Sequence, residues 1–368
     1  MFIVFLMVAA LALSATTRFI TGTGFAWFIE LPPVMVSWLV FPLLGPLLKQ
    51  GQHIKVDFLS HYLSEKSKIS KMVKVSQGSF LMGTDYENAF VNDGEGPVRE
   101  VEVDTFYIDQ FPVTNKDFDD FCSQTGYKTE AEKYKWSFVF YQLVSNNTKN
   151  SVTETVSGTP WWWKVDGAYW RNPNGPDSNL MDLEKHPVVH VSWNDANAYA
   201  KWIGKDLPTE AEWEMAARGG LNQNIFSWGN DDNDIYNKCN IWDGDFPETN
   251  TLKDGWLGTS PVDYYEPNNY GIYDTSGNVW EWCKDWFSPS FHQVERKDTR
   301  FNPTGPKYGS SKTMKGGSYL CHNSYCNRYR TSARTQNTPD SSTGNLGFRL
   351  SLIHISEPTR RTPISYAV

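Results

Sequence analysis

A chain of 368 residues has room for one large domain or two ordinary ones. Its formal charge of −8 argues against nucleic-acid binding, which needs a concentrated basic face. The five cysteines, odd in number and dispersed apart from one pair, are not the framework of a disulfide-stapled secreted domain and lean towards a reducing compartment, while 16 tryptophans let a loop-rich chain bury its apolar area without long helices.

Residues 1–48 differ from everything after them. Met1–Ala15 is apolar, and Phe19–Leu48 holds one acid, Glu30, and no base. Each stretch approaches the length that crosses a bilayer of about 30 Å, although Pro32, Pro33, Pro42 and Pro46 interrupt the second. No basic region precedes the first, so a cleavable signal peptide fits poorly. The linker 49–71 carries Lys49, Lys55, Lys66, Lys68 and Lys71 against Asp57 and Glu65, and that excess would hold the remainder of the chain on the cytoplasmic side of a membrane. A tryptophan and an acid in an apolar run, followed by GQHIKVDFL, resemble part of the small membrane subunit of tripartite dicarboxylate transporters. The segment is read either as an anchor or as a fusion of unrelated coding sequence; without it the chain is expected to be cytoplasmic.

From Met72 the composition turns Gly/Asn/Trp-rich. VKVSQGSFLMGT alternates like a strand and turns at Gly83, and VREVEVDTFYIDQFPVT holds two further strand-like runs. Thr114 starts a short helix through Phe118, Phe121 and Cys122, stopped by Gly126. Residues 141–159 read as a loop. Ser192 and Asp195 open a helix, and Thr209-Glu210-Ala211-Glu212 is a capping box for the next, which ends at Gly219. His186 and His190 would share a face of an alternating strand, as a metal pair or as core histidines; no third ligand is in reach. NIWDGDFPETNTLKDGW and YGIYDTSGNVWEWCKDWF are rich in oxygen donors at glycine turns, which suits calcium or plain turn chemistry. After Leu350 the pattern stops, and residues 351–368 are expected to be disordered or foreign to the fold.

KGGSYLCHNSYCNRYRTSAR places Cys321 and Cys326 five apart, with Ser318 just before. The spacing is not that of a zinc site, and no second Cys/His pair lies downstream at a suitable distance. Two thiolates without hard ligands suit a soft ion such as Cu(I), or a redox disulfide, or they are buried inert cysteines.

Seven segments, GSFLMGT, FPVTN, HPVVHVSWNDA, LPTEAEWEMAARGG, GNVWEW, KGGSY and NLGFRL, run in the order of the formylglycine-generating enzyme (sulfatase-modifying factor) family, which residues 72–350 resemble. The resemblance implies one α+β domain of the C-type-lectin-like kind with little regular secondary structure. It implies O2-dependent oxidation of a cysteine, within Cys-x-Pro-x-Arg of a sulfatase polypeptide, to Cα-formylglycine. Cys321 and Cys326 would hold Cu(I), and Ser318 would hydrogen-bond beside the oxygen pocket. Trp161, Arg334, Asn345 and Ser137 match substrate-groove positions. Asn240, Asp254 and the carbonyls of Ile241 and Trp256 match one structural calcium site; Asp274, Glu281 and the carbonyls of Gly277 and Val279 match a second. The family is usually monomeric. Ala200, Ala217, Thr331 and Leu350 stand where animal relatives carry disulfides, and Trp136 and Pro112 stand where they have groove acids. The fold also hosts other functions. A non-catalytic peptide-binding module would hold no copper, and a metal-free disulfide oxidoreductase would consume no O2.

Overall fold

The computed structural model describes residues 71–353. The expected membrane segment, the linker up to Ser70 and the tail from His354 lie outside the described residues. Among those described, no helix is long and apolar enough to cross a membrane.

The alternating N-terminal runs fold as expected. Strands β1 (Met72–Val75), β2 (Gly78–Met82), β3 (Arg99–Val103) and β4 (Phe106–Asp109) form two antiparallel pairs, β1 with β4 and β2 with β3. In β3 the period of two buries Arg99, Val101 and Val103 and exposes Glu100 and Glu102. Helix α1 (Asn115–Thr125) starts at a capping box of Thr114 and Asp117 and stops at left-handed Gly126. Helix α2 (Glu130–Tyr134) uses Thr129 and Glu132 in the same way. Strand β5 (Trp136–Phe140) pairs with β7 (Thr159–Asp166), and the expected loop between them contains short α3 (Asn146–Lys149) and β6 (Thr155–Val156), which adds to β7.

Helices α4 (Trp193–Ile203) and α5 (Glu210–Arg218) begin at the boxes Ser192/Asp195 and Thr209/Glu212. Every residue of α5 is buried, although four are charged. Partners make this possible, because buried charge is tolerated only when paired and hydrogen-bonded. Glu214 accepts from Arg218, Lys315 and the Gly83 N–H, and Glu210 pairs with Arg334. Burial by itself would raise the pKa of Glu214, but Lys315 and Arg218 outweigh it and leave the pKa at about 2.

Beyond the small hairpin β8 (Gly244–Asp245) and β9 (Thr249–Asn250), strand β10 (Trp280–Trp286) is central. Past α6 (Lys297–Arg300) come β11 (Lys312–Lys315), β12 (Arg334–Asn337) and β13 (Leu346–Gly347), and the sheet runs β12-β11-β10-β13 with β13 parallel to β10. Against it packs an aromatic core in which Phe118 meets Trp170, Tyr199 and Phe348 at centroid distances of 5.2 to 6.3 Å. Trp282 donates its indole N–H to the Val191 carbonyl.

The expected end of the fold at Leu350 needs correction. Strand β14 (Ser351–Ile353) pairs antiparallel with β4, and Ser351 donates its hydroxyl to Glu212 at 2.9 Å. Its three residues complete an edge that β4 would otherwise leave bare.

Candidate active site

Between β11 and Cys321 the chain passes through Gly316 and Gly317, with φ of 93° and 74°. A Cβ on Gly317 would stand 2.9 Å from the backbone of Tyr329, so only glycine lets this turn fold back beneath the segment after Cys326. The turn delivers Ser318, whose N–H points to the Cys321 sulfur at 3.4 Å. Backbone bonds from Cys321 N–H to Ser318 O, from Trp242 N–H to Cys321 O and from Cys326 N–H to His322 O fix the loop. Cys321 and Cys326 are 4.7 Å apart at Cα and joined as a disulfide.

Both cysteines are buried and open on a cavity of about 280 Å³. It is lined by aromatic residues (Trp161, Trp162, Trp280, Tyr325) and polar ones (Ser318, Arg328, Gln336, Asn337, Thr343, Asn345). Tyr325 stacks on Phe246 at 4.4 Å and meets Trp161 edge-on at 4.9 Å. Arg328 is locked at the rim: Nε donates to Asp93 at 2.6 Å, and the guanidinium lies 3.7 Å over the Phe90 ring. A cavity of about 300 Å³ beside Ser79 and Tyr270 has no comparable set of reactive groups, so chemistry rather than volume identifies the site.

The expected site residues are only partly brought together. Cys321, Cys326, Ser318, Trp161 and Asn345 share the cavity. Arg334 does not line it. Its side chain turns away, pairs with Glu210 at 2.6 Å and donates to the carbonyls of Asp93 and Ser288. Ser137 is fully buried, bonded to the Ser342 carbonyl and the His190 ring, and does not line the cavity either. Pro112 borders a different cavity, beside Asp109 and Lys205. The two histidines are core groups. His190 bridges Ser137 and the Pro173 carbonyl, His186 meets Thr259, and burial lowers both ring pKa values, that of His190 to about 4. Arg328, Gln336, Asn337 and Thr343 line the cavity without having been expected there from the sequence. Arg328 stands in the cysteine signature itself, two residues after Cys326, which was the available signal.

The donor set fits Cu(I) once the disulfide is reduced. Two soft sulfurs adjoin one cavity, and no cluster of three or more His, Cys, Asp or Glu that would favour a harder ion occurs among the described residues.

The two oxygen-rich loops meet each other, with the Asn278 N–H donating to the Asn240 carbonyl at 2.8 Å. Asn240 Oδ1 is buried without a hydrogen-bond partner, while Asp254 is buried and accepts from the N–H groups of Ile241 and Trp256. Burial pushes Asp254 up to about 6. An orphaned carbonyl oxygen beside a carboxylate is what a hard cation satisfies. Asp274 is likewise buried and pushed up to about 7, and its Oδ2 accepts from Asn278. Glu281 is already engaged by Arg349 through both oxygens at 2.6 Å. The first loop therefore fits calcium better than the second.

The chain is a domain with little regular structure whose cysteine pair opens on an aromatic-lined cavity. Residues 61–352 match the family of sulfatase-modifying factor enzyme 1-like domains, and the chain belongs to that family. It is 54% identical over 279 residues to the formylglycine-generating enzyme of Thermomonospora curvata, covering 76% of this chain and 92% of the relative. It is 52% identical over 288 residues to the formylglycine-generating enzyme of Mus musculus, covering 78% and 76%. In three dimensions it resembles PvdO from Pseudomonas aeruginosa, with a TM-score of 0.54 at 24% identity over 76% of this chain and 93% of that one, a likeness of fold alone.

Proposed function

We propose that this chain is an oxidase that converts a cysteine of a sulfatase polypeptide to formylglycine, with O2 as oxidant and Cu(I) held by Cys321 and Cys326. The observation that carries the reading is the meeting of both sulfurs with Ser318 in one cavity, within a chain about half identical to formylglycine-generating enzymes.

The overall change takes two electrons and two protons from the substrate cysteine, one proton from Cβ and one from the thiol, giving a thioaldehyde that water hydrolyses to the aldehyde and hydrogen sulfide. O2 accepts four electrons, two of them from external thiols, and ends as water. Bound Cu(I) would bring the substrate thiol and O2 together as ligand and oxidant. The chain's own residues do the rest. The tryptophans and Tyr325 exclude water, Ser318 presents a hydroxyl beside the sulfurs, and Arg328 offers the two NH2 groups of its guanidinium to peptide carbonyls. Calcium in the Asn240/Asp254 loop would be structural, tying down a segment with few backbone ladders of its own.

The disulfide in the structure gives a second reading, a metal-free disulfide oxidoreductase. The full chain, reduced and supplied with Cu(I), is incubated in air with a Cys-x-Pro-x-Arg peptide, and mass spectrometry follows the cysteine. Copper-dependent conversion to the aldehyde, lost in Cys321→Ser, is expected. Conversion without copper would favour the oxidoreductase, and an intact peptide with no bound copper the non-catalytic module.

A further inference from the structure

We propose that Thr343 is a positioning residue which, acting through Asn345, makes Ser318 a hydrogen-bond donor towards whatever enters the cysteine cavity; the inference rests on the formylglycine reading of that cavity. Ser318 Oγ receives two donors, Asn345 Nδ2 at 2.9 Å and the Leu320 N–H at 3.3 Å. A hydroxyl oxygen has two acceptor sites and one proton. With both sites filled, the proton is left to donate, and it has no acceptor among the described residues. Ser318 is buried and lines the cavity together with both cysteines. Its acceptor is therefore not a protein group, and in the reacting complex we assign that place to the substrate sulfur or to the oxygen co-substrate.

This polarity depends on which end of the Asn345 carboxamide faces Ser318. If Oδ1 faced it, the Ser318 proton would be held by Asn345 and none would remain for the cavity. Thr343 supports the first arrangement. In the structure its hydroxyl donates to Asn345 Oδ1 at 2.7 Å while Nδ2 faces Ser318, and we assign to that bond the holding of the carboxamide in this orientation. The segment carrying both residues is held on several sides. The Thr343 carbonyl accepts from His190 N–H and Leu346 N–H, the Asn345 carbonyl from Trp280 N–H, and the Gly344 carbonyl from the Tyr319 hydroxyl. The buried Ser137–His190 pair thus acts at a distance, by fixing the backbone from which Thr343 reaches.

The test uses the full chain with Cu(I) and a Cys-x-Pro-x-Arg peptide. Thr343→Val, which keeps the shape and removes the donor, is expected to lower kcat about 5- to 10-fold, with KM held within about 2-fold, as for one lost neutral hydrogen bond. Thr343→Ser should recover most of that loss. In a Ser318→Ala background, Thr343→Val should cost nothing further. Asn345→Asp, which only accepts while ionised, should be slow at pH 8 and regain activity as the pH falls and its carboxyl takes a proton. A second readout needs neither copper nor turnover. In the reduced, copper-free chain the Asn345 side-chain N–H resonances, identified by their loss in Asn345→Asp, should exchange slowly with water and become fast in both Thr343→Val and Ser318→Ala.

Wild-type turnover by Thr343→Val would overturn the relay. So would losses that multiply with Ser318→Ala, failure of Thr343→Ser to rescue, or amide exchange unaffected by Thr343→Val. A wild-type chain that never converts the peptide would defeat the formylglycine reading instead, and the exchange measurement would still judge the relay.

Discussion

Removing Arg330 should weaken the fold and the cysteine loop together. Its guanidinium is fully buried and grips Glu95 through two bonds, Nη1 to Oε2 at 2.6 Å and Nη2 to Oε1 at 2.7 Å, while Nε donates to the Asn327 carbonyl at 2.7 Å. Glu95 also accepts from the Phe90 N–H and the Ser332 hydroxyl. One pair therefore fastens the segment before β3 to the residues just after Cys326. In Arg330→Met the carboxylate keeps only neutral donors. Stripping one partner from a buried pair costs about 3–5 kcal/mol. At neutral pH a loss near 4 kcal/mol corresponds to a midpoint lowered by about 10 °C for a domain of this size. Circular-dichroism melts at neutral pH, with calcium present, measure it. Adding Glu95→Gln removes the orphaned charge and should return part of the loss. A deficit under about 1 kcal/mol, or no recovery on adding Glu95→Gln, would refute the role given to this pair.

Three further outcomes are expected. Arg328→Met keeps the aliphatic stem over Phe90 but removes the donors at the cavity rim, so KM for the peptide should rise about 10-fold or more with kcat little changed; Arg328→Lys, which cannot fork, should fall between. Chelating calcium should lower the melting midpoint and expose the Asn240–Trp256 segment to proteolysis, because Asn240 Oδ1 then has no partner; an unchanged midpoint would remove calcium from that loop. Burial holds Glu212 at about 7 and Asp285 at about 8, so the folded state binds more protons than the unfolded one from about pH 4 up to those values. His190 and His292, held neutral to about pH 4 chiefly by burial, act in the opposite sense only below pH 6.5. Stability of the calcium-loaded protein should therefore fall by roughly 2 kcal/mol between pH 6.5 and 8, and denaturant melts of Glu212→Gln should show a shallower decline.

Much of the fold was legible because its signals are local. A capping box needs four residues, and those at Thr114, Ser192 and Thr209 each opened a helix where the sequence placed it. The period of two in β3 likewise reads off its own five residues. Strand β14 was missed because Ser351–Ile353 owes its state to the free edge of β4, more than two hundred residues earlier. The same division runs through the site. Gly316, Gly317, Ser318, Cys321 and Cys326 are neighbours in sequence, and their turn geometry brings them together. The arginines were not decidable that way. Arg328, Arg330 and Arg334 stand within seven residues, chemically alike, yet one faces the cavity and two are buried in ion pairs. What sorts them is the segment at 93–95, where Asp93 takes Arg328, Glu95 takes Arg330, and the Asp93 carbonyl helps turn Arg334 inward towards Glu210. A single acidic segment far away in sequence thus decides which guanidinium remains for substrate, so recognition at this cavity depends on residues that never touch it.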